Sequence, residues 1–274
     1  MKNQSILEIM RNKDLKSGRS YDLGKMNLKE LWVAYLTHGT ILLYFGLILA
    51  SIVGVYYTFT GWVPVISAVL LMIFGFPLIW YIIHRWIMHV SILYRIKWTA
   101  SLWKRIHFDH HQDPHLLNVL FGSPLNTLPT ILIVPGGLGY LVGGFPGFFA
   151  AIGTALYMSC FYEFFHCIQH LGYKPKSKYV LHIKQVHVLH HFHDEKGNYG
   201  ITNYFWDKLF GTYYEDAKSR TRSPTVFNMG YDIKQAEHYP WVMLKTGAPP
   251  RDRPAGSNFR GQKKAAAEEN QKAA

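Results

Sequence analysis

Two long stretches without any charged residue dominate the pattern of apolar and polar positions along the chain. They run from Thr40 to Ile83 and from Leu120 to Tyr162, so they are 44 and 43 residues long. As one continuous helix, the first stretch would extend about 66 Å, whereas the hydrocarbon core of a bilayer is about 30 Å thick. Each stretch therefore has the length of two membrane crossings. Each also has turn-forming residues near its middle, TGWVP at 60–64 and GGFPG at 143–147.

The pattern predicts an all-α integral membrane protein with four transmembrane helices arranged in two hairpins. We expect the crossings at about residues 40–59, 62–83, 124–143 and 146–165. Several prolines interrupt the third crossing, which membrane helices tolerate where neighbouring groups satisfy the freed backbone. A pair of buried core helices in a soluble protein is the alternative, and the length of the stretches argues against it.

The polar segments around the hairpins complete the predicted organisation. Residues 84–123 and 166–245 are predicted to form a helical cap, so that residues 40–245 make one membrane-embedded domain. Residues 1–39 are predicted to be a cytosolic or interfacial arm, which begins either as a short helix on the membrane surface or as a solvated segment. Residues 246–274 lack the apolar content of a folded core, and we expect a disordered basic tail.

The distribution of charge assigns a side of the membrane to the cap. The chain has a net charge of +12, and all 29 basic and all 17 acidic residues lie outside the two charge-free stretches. If both hairpins begin and end on one side, every charged residue lies on that side, and the positive-inside rule makes it cytoplasmic. The basic excess then follows from topology and from attraction to anionic lipid, which argues against nucleic-acid binding.

Histidines form a second pattern, because ten of the fifteen lie in four short motifs that border the charge-free stretches. The motifs read HRWIMH, HFDHH, HCIQH and HVLHH. Their histidines are His84, His89, His107, His110, His111, His166, His170, His187, His190 and His191. Because each hairpin is predicted to return to the side of the cap, we expect all ten imidazoles at one membrane face.

Helical spacing predicts how these motifs are oriented. Residues three and four apart share one face of a helix, so each H-x-x-H-H trio can converge on a single point. His84 and His89 are about 140° apart around an ideal helix, which predicts that they reach toward different centres. Ten imidazoles from four segments suit two metal ions with about five nitrogen ligands each.

Ligand chemistry narrows the identity of these metals. Imidazole suits zinc, copper, iron and nickel, and the motifs offer neither a thiolate set nor a dense carboxylate set. Structural zinc requires only four ligands, so ten histidines favour two irons with positions open to dioxygen. Carboxylates near the motifs in sequence are expected to orient the ring N–H groups. They are Asp109, Glu163, Asp194 and Asp207.

The remaining histidines have other interpretations. His38 and His238 are predicted to be polar anchors at the membrane interface. His115, His182 and His193 lie next to the motifs but outside their spacing. For each of these three, a ligand role and a supporting or surface role explain the sequence equally well.

Together the motifs resemble those of the fatty acid hydroxylase / sterol desaturase superfamily of integral membrane di-iron oxygenases. The resemblance includes NYGITNYFWDKLFGT at 198–212 and covers roughly residues 73–214. It implies a four-helix transmembrane stem with a cytosolic helical cap that carries a dinuclear metal site. It further implies that the ten motif histidines are catalytic ligands of two iron ions, for which zinc is a substitute. Irons of this kind use O2 to oxidise an unactivated C–H bond of a lipid.

The leading functional prediction is O2-dependent hydroxylation of a fatty acyl chain, free or within a complex lipid. A sterol or carotenoid hydroxylase or desaturase of the same superfamily is the alternative, because the motifs do not encode the substrate. A non-catalytic metal-binding or transport protein is a third hypothesis. A transporter is expected to have ionisable groups at mid-membrane, which the charge-free stretches lack.

Partners and location follow as expectations. The sequence contains no cytochrome b5 module and no flavin or nicotinamide motif. We therefore expect electrons from a separate donor protein, a cytochrome b5, a ferredoxin or a similar carrier, and the basic cytosolic face is suited to an acidic donor. The sequence ends in QKAA without a dilysine signal, which favours a bacterial inner membrane over an endoplasmic reticulum.

Overall fold

Helices are the whole of the regular structure in residues 22–250, the part of the chain that the computed structural model describes. One isolated bridge joins Asp22 to Leu116, and no strand occurs in this range. The predicted all-α class is therefore confirmed for the described residues. In chain order the helices are α1 (Leu28–Leu36), α2 (Gly39–Thr58), α3 (Trp62–Ile83), α4 (Ile92–Arg95), α5 (Ala100–Trp103), α6 (Asp109–Gln112), α7 (Leu117–Leu120), α8 (Pro124–His170), α9 (Lys178–Phe192), α10 (Phe205–Leu209), α11 (Ile233–His238) and α12 (Trp241–Thr246). Two π-helical turns, His84–Met88 and Lys104–Phe108, follow α3 and α5.

Within residues 22–250, three helices are long and apolar enough to cross a membrane, namely α2, α3 with the π turn that follows it, and α8. Their outward-facing apolar side chains are exposed, for example Leu49 at 65%, Phe74 at 74% and Leu141 at 82%. Soluble proteins rarely expose contiguous apolar surface on this scale. These faces are therefore suited to contact with lipid chains.

The longest helix, α8, bends sharply at Gly143 and Gly144, whose φ and ψ angles are not helical. It has 47 residues, whereas one membrane crossing needs about 20. Gly144 has a φ of +60°, which glycine adopts readily and other residues rarely. The two halves of α8 then contact each other, because a Cβ atom added at Gly139 would lie 2.4 Å from the Cβ atom of Ala151. The bend lies within the predicted break, whereas four separate crossings remain a prediction.

Both α2 and α3 pack against α8. The buried cluster between them includes Tyr44 from α2, Met72 from α3 and Leu156 from α8. A Cβ atom at Gly54 of α2 would lie 2.5 Å from the ring of Phe149 in α8. Close contact at small residues is the usual means by which helices associate in lipid, where apolar burial alone does not drive them together.

At one end of the long helices, the short helices form the cap around a second apolar cluster. Tyr94 and Trp103 in this cluster precede α8 in sequence, whereas Tyr231 and Val242 follow it. The ring centroid of Tyr94 lies 4.9 Å from that of Trp103 and 5.3 Å from that of Tyr231. Because the cluster joins two segments separated by the whole of α8, it holds the histidine-bearing halves of the cap together.

The end of the N-terminal arm lies between these two halves of the cap. The backbone N–H of Leu23 donates to the carbonyl of His115 at 2.9 Å, and the N–H of Gly172 donates to the carbonyl of Leu23 at 2.7 Å. Residues 1–21 of the predicted arm and residues 251–274 of the predicted tail lie outside the described residues.

Candidate metal centre

The ten motif histidines lie together at the cap end of the long helices, and nine of them form two groups. Within each group, one ring nitrogen from every histidine lies within 4.8 Å of the others. Group A contains His84, His89, His107 and His190, and group B contains His110, His166, His170, His187 and His191. His111 forms a third set with His190 and His191, which links the two groups.

In group A, three Nε2 atoms approach one another closely. The Nε2 atom of His84 lies 2.9 Å from that of His107, and the Nε2 atom of His89 lies 3.2 Å and 2.9 Å from these two atoms. The ring centroid of His190 lies 5.0 Å from that of His84. A cation accepts lone pairs from several nitrogens at once, so this convergence is typical of a metal site.

Group B shows the same close approach of ring nitrogens and contains five rings, one more than group A. The Nε2 atoms of His110 and His166 are 3.0 Å apart, and those of His170 and His187 are 2.9 Å apart. The ring of His191 completes the group, with its centroid 4.5 Å from that of His110. The two groups together place five and four imidazoles around two neighbouring points, with His111 between them.

Backbone carbonyls fix the protonation of three rings. In each of them Nδ1 lies within hydrogen-bond distance of a carbonyl oxygen. The pairs are His84 with Tyr199 at 2.6 Å, His190 with Gly197 at 2.7 Å, and His111 with Val226 at 3.1 Å. Because a carbonyl can only accept, Nδ1 carries the proton and the lone pair is on Nε2. Carbonyl contacts of this kind orient metal-binding histidines in other proteins.

Many of the remaining ring nitrogens are buried and have no hydrogen-bond partner among the described residues. An unsatisfied buried polar atom costs about 1–3 kcal/mol, so a fold that gathers several of them is suited to a ligand that accepts nitrogen lone pairs. The residues present therefore fit a pair of metal ions. The atoms that can offer a lone pair in this way are Nε2 of His111, His190 and His191. In His89, His110, His170 and His187 the buried atom without a partner is Nδ1, and Nε2 is the atom that meets a neighbouring ring.

Burial keeps the rings outside the membrane-spanning segments neutral. Loss of water lowers the pKa of His111 to about 3. It lowers the pKa of His107 and of His190 well below the usual value, and neighbouring histidines lower both further. Neutral imidazole is the form that binds metal, so these rings are ready to act as ligands at neutral pH.

The prediction that His84 and His89 reach toward different centres is wrong, since both lie in group A. A π-helical turn, His84–Met88, separates them. In it the backbone N–H of His89 donates to the carbonyl of His84 at 3.1 Å, an i→i+5 bond instead of the α-helical i→i+4 bond. The wider turn brings residues five apart onto one face, whereas the angle of an ideal α-helix separates them.

The prediction that each H-x-x-H-H trio converges on one point is also wrong. His187 and His191 lie in group B, whereas His190 lies in group A. Likewise, His107 belongs to group A and His110 to group B. Successive residues of a helix differ by about 100°, so adjacent histidines point to different sides. Each trio therefore spans both groups and holds them side by side.

The predicted carboxylate partners of the rings are wrong as well, because each carboxylate has another partner. The partners are the N–H groups of Tyr199 and Gly200 for Asp207, Arg220 for Asp194, Lys104 for Asp109, and the N–H of Gly122 for Glu163. A carbonyl accepts a ring N–H without bringing net charge into the buried interior, where an ionised carboxylate is costly. The sequence gives little sign of backbone acceptors, apart from the NYG segment at 198–200.

The other histidines lie outside both groups. His115 donates from Nδ1 to the carbonyl of His170 at 3.0 Å, so it supports a group B residue through the backbone. The ring of His193 bonds the carbonyl of Arg220, and His182 lies near the hydroxyl of Tyr213. His38 accepts from an N–H group at the start of α2, and His238 bonds a carbonyl within α11.

A polar cavity of about 370 Å³ adjoins His89, the one motif histidine that is partly exposed. Charged residues line its wall, among them Arg95, Glu195 and Lys196. Two larger cavities, of about 770 and 530 Å³, lie among apolar residues of the long helices, and no histidine lines them. The histidine groups are thus reached from this cavity at His89.

A family model described as fatty acid hydroxylase matches residues 69–212, a range that contains all ten motif histidines. A solved structure of full-length scs7p, in which only the hydroxylase domain is visible, matches with a TM-score of 0.56 and 20% identity, over 79% of this chain and 85% of that chain. At this identity the likeness shows a shared fold.

Several curated proteins are similar over the same region. The chain is 32% identical to a dihydroceramide fatty acyl 2-hydroxylase of Arabidopsis thaliana, over 48% of this chain and 54% of that protein. It is 29% identical to the ceramide very long chain fatty acid hydroxylase scs7 of Schizosaccharomyces pombe, over 58% of this chain and 46% of that protein. It is 30% identical to the fatty acid 2-hydroxylase of Homo sapiens, over 51% and 37%. The chain thus spans about half or less of the length of these relatives.

Proposed function

This chain belongs to the fatty acid hydroxylase family, and we propose that it is a membrane oxygenase that uses O2 to hydroxylate a fatty acyl chain of a free or complex lipid. The observation that carries the proposal is the assembly of ten histidines at one end of charge-free helices. A lipid chain can reach such a site from the bilayer without crossing water. The names of the relatives specify fatty acyl or ceramide substrates, which supports an acyl chain over the alternative of a sterol or carotenoid.

We propose that group A and group B each hold one iron ion, with His111 between them. The support is the convergence of buried imidazole nitrogens in both groups, together with the buried Nε2 atoms of His111, His190 and His191 that lack another partner. Iron held there supplies the O2-dependent oxidation of an unactivated C–H bond. The chain itself holds the rings in place, keeps them deprotonated at the metal-facing nitrogen and excludes water. Zinc fits the same rings but has no redox chemistry, so zinc-loaded protein is expected to be inactive.

The net reaction requires electrons from outside these residues. One atom of O2 enters the C–H bond and the other leaves as water, which consumes two electrons and two protons. We propose that a separate protein, a cytochrome b5, a ferredoxin or a similar carrier, supplies them. The basic side chains of Arg95 and Lys196 beside the cavity at His89 support docking of an acidic donor there, because opposite charge steers association.

We propose four membrane crossings with the cap and both termini on the cytoplasmic side of the membrane. The bend of α8 at Gly143 and Gly144 supports the second hairpin, and the absence of Lys and Arg from both charge-free stretches supports the orientation. This arrangement places the metal groups at the cytoplasmic membrane face, where a soluble donor has access.

The proposal is tested by expressing the full chain with a reducing system and comparing cellular lipids with and without it. We expect acyl chains that have gained one oxygen atom, and isotopically labelled O2 should transfer its label to them. Zinc-loaded protein is the matched control and should give no product. Iron-loaded protein that leaves every acyl lipid unchanged would overturn the proposal. Metal accumulation by cells without lipid oxidation would instead favour transport.

A further inference from the structure

The segment 197–200 supplies two of the backbone carbonyls that contact the metal groups, and both act on group A. The carbonyl of Tyr199 accepts from His84, and that of Gly197 accepts from His190. Group B differs, since within the described part of the chain no partner bonds Nδ1 of four of its five rings, those of His110, His170, His187 and His191. The orientation of the group A rings therefore depends on how segment 197–200 is held.

The Asp207 carboxylate holds this segment through its backbone. Its Oδ1 atom accepts from the N–H of Tyr199 and its Oδ2 atom accepts from the N–H of Gly200, each at 2.8 Å. The hydroxyl of Thr212 donates to Oδ1 at 2.7 Å. Asp207 is fully buried, so no water competes for these bonds. One carboxylate thus fixes two successive peptide groups, including the one that contains the Tyr199 carbonyl.

The Asn198 side chain fixes the other end of the segment. Its amide exchanges two hydrogen bonds with the backbone of Tyr214, at 2.8 and 2.9 Å. Its φ of +57° is in the left-handed region that asparagine tolerates better than most residues. A Cβ atom at Gly197 would lie 2.4 Å from the carbonyl oxygen of Thr212, and one at Gly200 would lie 2.0 Å from that of Asn203. The segment is therefore tightly enclosed.

The same hydrogen bonds reach the helix that carries His84. The hydroxyl of Thr212 lies 3.0 Å from that of Tyr81, and Arg85 donates to the Tyr81 hydroxyl at 2.7 Å. Tyr81 and Arg85 flank His84 in sequence. Asp207 thereby connects the carbonyl that orients the His84 ring with the helix that carries this ring.

We propose that Asp207 is a positioning residue of group A, which directs the carbonyls of Tyr199 and Gly197 at His84 and His190 and so keeps their Nε2 atoms ready for a metal ion. Asp207 then affects the metal affinity of group A and leaves that of group B unchanged. This inference rests on the metal assignment of the proposed function and is independent of lipid oxidation.

The experiment uses the full chain in detergent and cobalt(II) as the probe, with affinity measured by competition against a chelator. To isolate group A, His166, His170 and His187 are replaced together by Ala, which leaves group B with two of its five rings. To isolate group B, His84 and His107 are replaced together by Ala, which leaves group A with two of its four rings. In the first background, Asp207→Asn is expected to weaken cobalt(II) binding roughly 10–100-fold, because an amide has one acceptor oxygen for three donors. In the second background the change should stay within about twofold. Asp232→Asn is the matched control, since Asp232 accepts from Gln235 at the start of α11, and it should change neither affinity.

Thr212→Val provides a milder variant with the same shape. It removes one donor to Asp207 and the contact to Tyr81, and a smaller loss confined to group A is expected. If Asp207→Asn does not fold, the cobalt(II) affinities of Thr212→Val in the two backgrounds test the inference instead. Equal weakening of both groups, or of neither, would overturn the inference. If cobalt(II) binds in neither background, both this inference and the assignment of the two metal groups are wrong. If cobalt(II) binds normally but the protein oxidises no lipid, only the proposed function is contradicted.

Discussion

At the scale of single residues, the site is built from buried imidazoles, three of which hydrogen-bond to backbone carbonyls where carboxylates were expected. His111 and His190 each donate from Nδ1 to a carbonyl and leave a buried Nε2 atom without a partner. The cost of such unmet groups, about 1–3 kcal/mol each, opposes folding of the cap until metal binds. Metal binding and ordering of the cap are therefore expected to be coupled.

Replacing one ring in each group tests the ligand assignment. His110→Ala and His190→Ala are each expected to abolish lipid hydroxylation, because each removes a nitrogen from one of the two groups. Membrane insertion should be unchanged, since neither residue lies in the charge-free stretches. Product formation and the membrane-bound fraction are measured for both variants. His238→Ala is the control, because His238 bonds a carbonyl within its own helix. Normal turnover of either group variant would contradict the assignment.

At the scale of elements, departures from the regular α-helix position the histidines of the site. The π turns His84–Met88 and Lys104–Phe108 each lie within a histidine motif or just before it. The hydrogen bonds of each π turn depart from the i→i+4 pattern of the α-helix, and such turns are frequent at functional sites. The first brings His89 onto the face of His84, and the second precedes the helical turn with His110 and His111. Regular α-helix through these positions would separate rings that the metal groups require together.

The bend of α8 is the other departure, and its packing is testable at Gly139. Gly139→Val places side-chain atoms against Gly147 and Ala151, where even a Cβ atom would lie 2.4 Å from both contacts. We expect a loss of about 1–3 kcal/mol in stability from overpacking, measured by denaturation in detergent. Gly137→Val is the matched control, because a Cβ atom there meets nothing within 4 Å. Equal stability of the two variants would show that the halves of α8 do not pack as described.

At the scale of the whole molecule, the fold brings four separate segments to one end of a membrane stem. The apolar cluster around Tyr94, Trp103 and Tyr231 joins the segments that precede and follow α8 in sequence. The stem exposes apolar side chains outward, while the basic residues of the sequence lie outside the two charge-free stretches. This division suits the proposed function, in which a lipid substrate and a separate electron donor reach the same site.

An even number of crossings is expected to place both ends of the chain in the cytoplasm. Reporter tags fused before residue 1 and after residue 274 should both give a cytoplasmic signal, because each hairpin returns to the basic side. A tag in the turn at 60–61 should report the opposite side and serves as the control. Terminal tags on opposite sides would exclude two complete hairpins.

The sequence by itself determined the helical class, the membrane character and the identity of the ten histidines. These features depend on local composition and spacing. The length of the charge-free stretches predicts the long helices, and the four histidine motifs identify the ten rings. The family resemblance added the metals and the reaction, and the family match to residues 69–212 agrees with it.

Only the tertiary structure decided how the rings divide. His107 and His110 belong to one motif yet to different groups, and His84 and His190 are about one hundred residues apart yet share a group. For His84 and His89 the ideal helix angle gave the wrong grouping because a π turn changes the angle locally. His190 and His191 lie in a regular α-helix, where the 100° between successive residues directs them to different groups. The carbonyl partners at Gly197 and Tyr199 have no side-chain signature, since every residue carries a carbonyl. Which one meets a ring depends on contacts that the folded chain makes at long range.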